Sequence, residues 1–274
     1  QDLHEYKTLE LVETTLDNVI DSQEAALEAP FAAEALAALE VIARLLGKPG
    51  EDDPATSEVD EWVRAGGADV LVVPCDVTDE NSIDEAVSAV VGHFGKLDVC
   101  VANAGFSVAG LIKKLRAADW RRQFDVNVIG LASTCRAVLP HLEKTKGRIA
   151  LIGSVSALFP APGLAPYSAS KAAVRVIGAS LSAELHGSGV SCTTIHPGFV
   201  ESEIAQVDNQ GHFDAEREDR RPAKLMWPAD KAARVMVRGI YKRKREFVFT
   251  GHGKVGAFFG QHFPGLGYLA TRGR

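Results

Sequence analysis

The chain has 274 residues, 46 % of them hydrophobic, and a formal net charge of −6. That length and apolar content suit one large α/β domain or two small ones, and exclude a disulfide-stapled miniprotein or a disordered tail. The charge is uneven: residues 1–60 hold 15 acids and 3 Lys/Arg, residues 61–274 hold 21 acids and 27 Lys/Arg, so the first sixty residues read as a different kind of segment.

In chain order, that acidic segment reads as two helices. Leu9, Val12, Leu16 and Val19 recur at steps of three and four, as do Leu36, Leu39, Ile42 and Leu46 in an Ala-rich run just after Pro30. Residues 47–57 form a linker or exposed loop on their Gly, Pro and acid content. Beyond residue 60 the pattern changes to one larger domain. Apolar strand-like runs lie at 69–73, 97–101, 148–152, 190–195 and 246–250, separated by helical stretches at 81–94, 117–142, 167–186 and 228–242. A capping box from Ser82 to Glu85 would open the first of these helices. Continuous apolar runs mean strands covered on both faces, and strand–helix–strand repetition means a parallel, doubly wound α/β sheet.

The longest candidate for a bilayer span, residues 99–112, is too short and too rich in Gly, Ala and Asn. The opening residues show no basic region followed by an apolar run, so no secretory signal is expected. Cys75, Cys100, Cys135 and Cys192 lack metal-ligand spacing, and three sit in apolar runs. They read as buried thiols in a reducing, cytoplasmic setting. No metal site is expected, and His196 before Pro197 reads as a packed loop histidine. Trp120, Trp227 and Phe124 read as packing residues.

Chemistry concentrates in the segment APYSASKAAVRV, where Tyr167 and Lys171 are four residues apart and so share a helix face. A free tyrosine has a pKa of about 10 and is a poor acid or base at neutral pH. A neighbouring ammonium favours the phenolate and would lower that value. The phenol could then exchange a proton with an alcohol or an alkoxide. Ser154, just after the strand-like run RIALI, would hold a substrate oxygen at the C-terminal edge of the sheet, where open α/β folds bind ligands.

These residues resemble the short-chain dehydrogenase/reductase family. YSASK matches its Tyr-x-x-x-Lys motif, Ser154 in LIGSVSA its catalytic serine, and Asn127 in FDVNVIG its catalytic asparagine. Asn103-Ala104-Gly105 in VCVANAG matches its Asn-Ala-Gly element, Asp76 and Val77 in PCDVTD its adenine side, and Pro197-Gly198 in IHPGFVES its nicotinamide side. Val200 follows, and Ser202 falls where a family threonine often touches the carboxamide. The resemblance, over about residues 65–251, implies a Rossmann-like fold and NAD or NADP as cofactor. It implies hydride transfer between hydroxyl and carbonyl, with Tyr167 as acid/base, Lys171 lowering its pKa and holding the ribose, Ser154 positioning the substrate, and Asn127 supporting a water beside Lys171. It also implies a homodimer or homotetramer built on the helices that carry Asn127 and Tyr167.

One family element is missing. The Thr-Gly-x-x-x-Gly-x-Gly loop that cradles a pyrophosphate is absent from the sequence, whose first glycine is Gly47. The acidic first sixty residues would oppose a dinucleotide phosphate placed near them. Three explanations stand open: a genuine replacement, a corrupted sequence, or a first unit supplied by another chain. An alternative function is therefore a descendant without nicotinamide cofactor, acting as a binding or scaffold protein or as a cofactor-independent enzyme. For substrate, residues 156–166 and 199–225 lean towards an apolar alcohol or ketone. Nucleic acid is not an expected partner, because residues 242–245 (KRKR) form only one short basic run. That run and the tail apolar residues Phe258, Phe259, Phe263, Leu266, Tyr268 and Leu269 would suit a membrane contact, but pocket closure or subunit packing is preferred.

Overall fold

The computed structural model describes residues 71–263. The acidic helical segment and the tail residues Leu266, Tyr268 and Leu269 lie outside them, as do residues 69 and 70 of the 69–73 run. Four strands, β1 (Val99–Ala102), β2 (Arg148–Ile152), β3 (Ser191–His196) and β4 (Glu246–Val248), pair in parallel in the order β1-β2-β3-β4. The helices are α1 (Glu80–Phe94), α2 (Ala117–Phe124), α3 (Leu131–Thr145), α4 (Ala165–Glu184), α5 (Ala229–Tyr241) and α6 (Gly251–His262).

The sheet is covered on both faces. Cys100, Ile149, Leu151 and Cys192 pack with Leu131, Cys135 and Leu142 of α3 and Val174 and Leu181 of α4. Val99, Val101, Ala150 and Ile195 pack on the other face with Ala232 and Ile240 of α5. Strand residues on both faces are buried, which is why their runs are continuously apolar rather than alternating. This is the expected parallel α/β sheet of Rossmann-like type. Cys100, Cys135 and Cys192 are buried free thiols. Burial pushes the Cys135 and Cys192 thiols up to about 12.

Three local expectations need correction. Residues 71–73 of the expected 69–73 strand carry no strand pairing among the described residues. The first helix is capped by Asp79, whose carboxylate accepts from the Asn81 N–H at 3.0 Å, and not by Ser82. The Ser82 hydroxyl instead accepts from the Asp76 N–H at 2.9 Å. The stretch 117–142 is not one regular helix: a six-residue π-turn, Asp125–Gly130, separates α2 from α3. Wide turns of this kind recur at functional sites, because the extra residue re-aims side chains that a regular helix would turn away.

The two ends of the sheet differ. At the N-terminal edge Arg243 reaches the carbonyls of Lys146 (2.7 Å), Gly147 (3.4 Å) and Gly189 (2.8 Å). The basic run at 242–245 is therefore partly a structural peg. At the other end of β4, α6 lays Gly253 and Gly256 against Val155, and Gly260 against the Leu158 carbonyl. Its Val255, Phe258, Phe259 and Phe263 face outward. The basic run and the aromatic helix thus sit at opposite ends of one strand, which separates the two halves of the membrane contact that the sequence offered as its less favoured reading. No helix among the described residues is long and apolar enough to cross a membrane.

Candidate active site

Every residue singled out for chemistry lies at or beyond the C-terminal edge of the sheet. Ser154 follows β2 in extended conformation (φ −166°, ψ 155°) and starts the 3-10 turn Val155–Ala157. Its hydroxyl accepts from the Ser156 N–H at 3.1 Å and stands near enough to the Tyr167 phenol to favour its ionised form. Tyr167 and Lys171 lie in the first two turns of α4, with Pro166 at the helix start, where its lacking N–H costs no helical bond. The Lys171 ammonium stands 5.8 Å from the Tyr167 ring centroid and donates to the Ile152 carbonyl at 2.7 Å.

The electrostatics differ from expectation. Burial lowers the Lys171 pKa to about 8. Burial also raises the Tyr167 pKa, against the opposing influence of the nearby Ser154 hydroxyl and the charge of Arg221. Lys171 directs its ammonium to the Ile152 carbonyl. Its ammonium is also close to Asn127 and to Gly105: a Cβ at Gly105 would stand 3.0 Å from Asn127 Oδ1 and 3.6 Å from Lys171 Nζ.

Asn127 occupies the π-turn and is almost wholly buried. Its amide accepts from the Phe106 N–H and donates to the Phe106 carbonyl and the Ser170 hydroxyl, each at 3.1 Å. One turn earlier Gln123, also fully buried, donates to the same Phe106 carbonyl at 2.9 Å and accepts from the Val108 N–H at 2.7 Å. Two side-chain amides therefore fix the loop after β1, which carries Asn103, Ala104 and Gly105. Gln123 escapes sequence reasoning, since an amide four residues before Asn127 carries no signal of its own.

The cofactor-side expectations divide into two groups. Val77, Asn103 and Ala104 line one small pocket with Val101, Ala102, Leu131 and Thr134. Asp76 lies at its rim in sequence, and its carboxylate accepts from both the N–H and the hydroxyl of Thr78 at 2.8 Å. This is the turn role that the residue could equally have. Pro197 accepts from the Val155 N–H at 2.9 Å, and Gly198 lies against Thr250 and His252. The Phe199 N–H donates to His252 Nε2 at 2.9 Å, with the two rings stacked. That bond requires a neutral imidazole, and burial lowers the His252 pKa.

Val200 bridges to Trp227, which packs edge-on against Phe249. Ser202 receives Arg221, which also donates to the carbonyls of Val200 (3.0 Å) and Ser202 (2.7 Å) and pairs with Asp219. Arg221 and His252, neither read from sequence, fix the segment 197–202. No cluster of His, Cys, Asp or Glu among the described residues could hold a metal ion.

The parts present fit half of a dinucleotide site. The buried ammonium of Lys171, the side-chain-free approach at Gly105, which a Cβ would crowd against Asn127 and Lys171, and the small pocket at Val77 and Ala104 lie along the sheet edge. The sequence offers no glycine-rich loop for the diphosphate.

Comparison with known proteins gives the family. A 2-(R)-hydroxypropyl-CoM dehydrogenase of Xanthobacter autotrophicus is 38 % identical over 141 residues, 50 % of this chain and 56 % of its own. An uncharacterized oxidoreductase of Myxococcus xanthus is 32 % identical over 197 residues, 72 % of this chain and 74 % of its own. The chain covers only 61 % and 56 % of several relatives that it matches. Among solved structures, an alcohol dehydrogenase of Thermococcus sibiricus complexed with 5-hydroxy-NADP shares the fold at a TM-score of 0.62 and 23 % identity, over 77 % of this chain and 90 % of that one. A 3-ketoacyl-ACP reductase of Sinorhizobium meliloti does so at 0.62 and 25 %, over 73 % and 86 %. The family model for short chain dehydrogenase matches residues 34–212, well over half of the sequence. With Ser154, Tyr167 and Lys171 gathered at one sheet edge, the chain belongs to the short-chain dehydrogenase family.

Proposed function

We propose that the protein is an NAD(P)-dependent oxidoreductase that interconverts a hydroxyl and a carbonyl on a small apolar molecule. The observation that carries this reading is the gathering of Ser154 and Lys171 around Tyr167, with Ser154 near enough to favour the phenolate and the Lys171 ammonium 5.8 Å from the ring centroid. When bound, the nicotinamide cofactor supplies or takes the hydride. Tyr167 and Lys171 would hold its ribose, Pro197, Gly198, Val200 and Ser202 its nicotinamide side, and Asp76, Val77, Asn103, Ala104 and Gly105 its adenine side.

The remaining chemistry is the chain's own. Ser154 holds the substrate oxygen beside the Tyr167 phenol. Tyr167 gives that oxygen a proton in reduction and takes one in oxidation. Lys171, titrating near neutrality, is suited to pass the proton on. Asn127 contributes by fixing the loop beside Lys171. Phe159 and Phe199, half-buried in the segments that follow β2 and β3, are the apolar residues on which the apolar substrate is proposed. Exposed Ile129 (56 %) in the π-turn and Val176 (65 %) on α4 support a homo-oligomer paired through these helices.

Calorimetric titration of the purified chain with NADH and NADPH tests the reading. Micromolar binding of either is the expected result. In a carbonyl-reduction screen Tyr167→Phe should then lower turnover by about 10²- to 10⁴-fold with cofactor binding kept. The missing glycine loop favours the second reading, a descendant that no longer binds the cofactor. No binding at millimolar concentrations of either nucleotide by the folded chain would establish it.

A further inference from the structure

His196 is the last residue of β3, and its side chain is completely buried. One ring nitrogen, Nδ1, faces the main-chain carbonyl of Ser154 at 3.2 Å. The other, Nε2, faces Glu246 Oε1 on β4 at 2.9 Å. The same carboxylate oxygen accepts from Arg175 Nε on α4 at 2.6 Å. Arg175 stands one turn beyond Lys171, as Lys171 stands one turn beyond Tyr167. Gly153 makes room for the ring, since a Cβ there would lie 2.5 Å from His196 Nδ1.

Both neighbours of the imidazole are acceptors. A carbonyl and a carboxylate can each be satisfied only by an N–H, so both contacts together need both ring nitrogens protonated. The residues on either side of Ser154 are already tied to the β3 end by backbone bonds, Gly153 N–H to Ile195 and Val155 N–H to Pro197. The Ser154 carbonyl between them accepts from the Ala157 N–H at 3.0 Å within the 3-10 turn, and its second lone pair is open to His196.

We propose that His196 is the positioning residue of Ser154, and that with Glu246 and Arg175 it forms a proton-dependent grip on the Ser154 main chain from beneath the site. The value of holding Ser154 rests on the oxidoreductase reading; the grip itself does not. When the imidazole carries two protons, Nδ1–H holds the Ser154 carbonyl and Nε2–H pairs with Glu246. When one proton leaves, the charge-assisted bond to Glu246 keeps the remaining one on Nε2. Nδ1 then presents a lone pair to a carbonyl oxygen, and the grip is released.

Burial lowers the His196 pKa; of the charged groups facing the ring, Glu246 from β4 favours its protonation and Arg175 from α4 opposes it. The β2 side offers the Gly153 backbone and the Ser154 carbonyl. Glu246 is 40 % exposed, so the buried proton exchanges with solvent through it.

The test is an NMR titration of the full-length protein without nucleotide, following the His196 ring nitrogens and the Val155 amide nitrogen, whose peptide bond contains the Ser154 carbonyl. The expected result is one shared midpoint for both signals. Arg175→Met should move that midpoint up and Glu246→Gln should move it down, each on the order of one pH unit. A Val155 amide that ignores the His196 titration overturns the proposal, as do midpoints that move in the same direction in the two variants. The wild-type titration decides the question even if a variant fails to fold. Failure of nucleotide binding in calorimetry bears on the oxidoreductase reading alone, because this titration contains no nucleotide.

Discussion

Lys171 gives its ammonium to the Ile152 carbonyl in a setting that holds it close to neutrality, with burial as the cause. A lysine whose pKa falls from 10.5 to about 8 on folding binds fewer protons in the folded state than in the unfolded state between those values. Stability from this group therefore rises as the pH climbs from about 8 to 10.5. At pH 7 the buried charge costs about 3 kcal/mol. Lys171→Met should thus stabilise the protein at neutral pH while abolishing carbonyl reduction, and the gain should shrink towards pH 10. Urea unfolding at pH 7, 9 and 10 checks the sign. A variant less stable than wild type at every pH would show that the Ile152 hydrogen bond outweighs the desolvation.

At the level of elements, the loop after β1 is shaped from outside itself. Its Phe106 and Val108 backbone groups end on Gln123 of α2 and Asn127 of the π-turn. Gln123→Leu leaves the Val108 N–H without its partner and weakens the hold on the Phe106 carbonyl, so it should cost about 2–4 kcal/mol. Hydrogen exchange should show faster exchange at Val108 and unchanged protection in β2 and β3.

The same elements show what a sequence carries. The strand run at 148–152 and the α5 helix stand where the apolar pattern places them, because burial on both faces is a property of consecutive residues. Ser154, Tyr167, Lys171 and Asn127 are legible because fixed spacings hold them. Gln123, Arg221 and His252 are not, since each bonds a backbone group 15 to 53 residues away, for which no spacing exists. The break at residues 125–130 is hidden for a related reason. A π-turn preserves the apolar content of the helix and changes only its phase.

Over the whole molecule, the sheet divides the work between its ends. The C-terminal edge carries the candidate chemistry on loops held by side chains, and the N-terminal edge is closed by Arg243. Its guanidinium joins the end of α3 at Lys146 and Gly147 to the turn before β3 at Gly189. Arg243→Ala should lower the melting temperature of the whole domain, at a cost of about 1–3 kcal/mol. Arg243→Lys should recover little, because one ammonium cannot span carbonyls that a planar fork reaches together. Differential scanning calorimetry of both variants measures this, and cofactor affinity should stay unchanged.

The three thiols sealed between the sheet and α3 have a further use. Cys100, Cys135 and Cys192 are buried, and burial makes each a worse nucleophile, whereas Cys75 lies nearer the surface. An alkylating reagent added to the native protein should mark Cys75 first. The other three should react only when the sheet opens, and they should do so together. Mass spectrometry of alkylated peptides over time would then read the opening free energy of the domain directly, with no substrate, cofactor or denaturant. Staggered labelling of the three would mean that β1 and β3 come apart from α3 in separate steps.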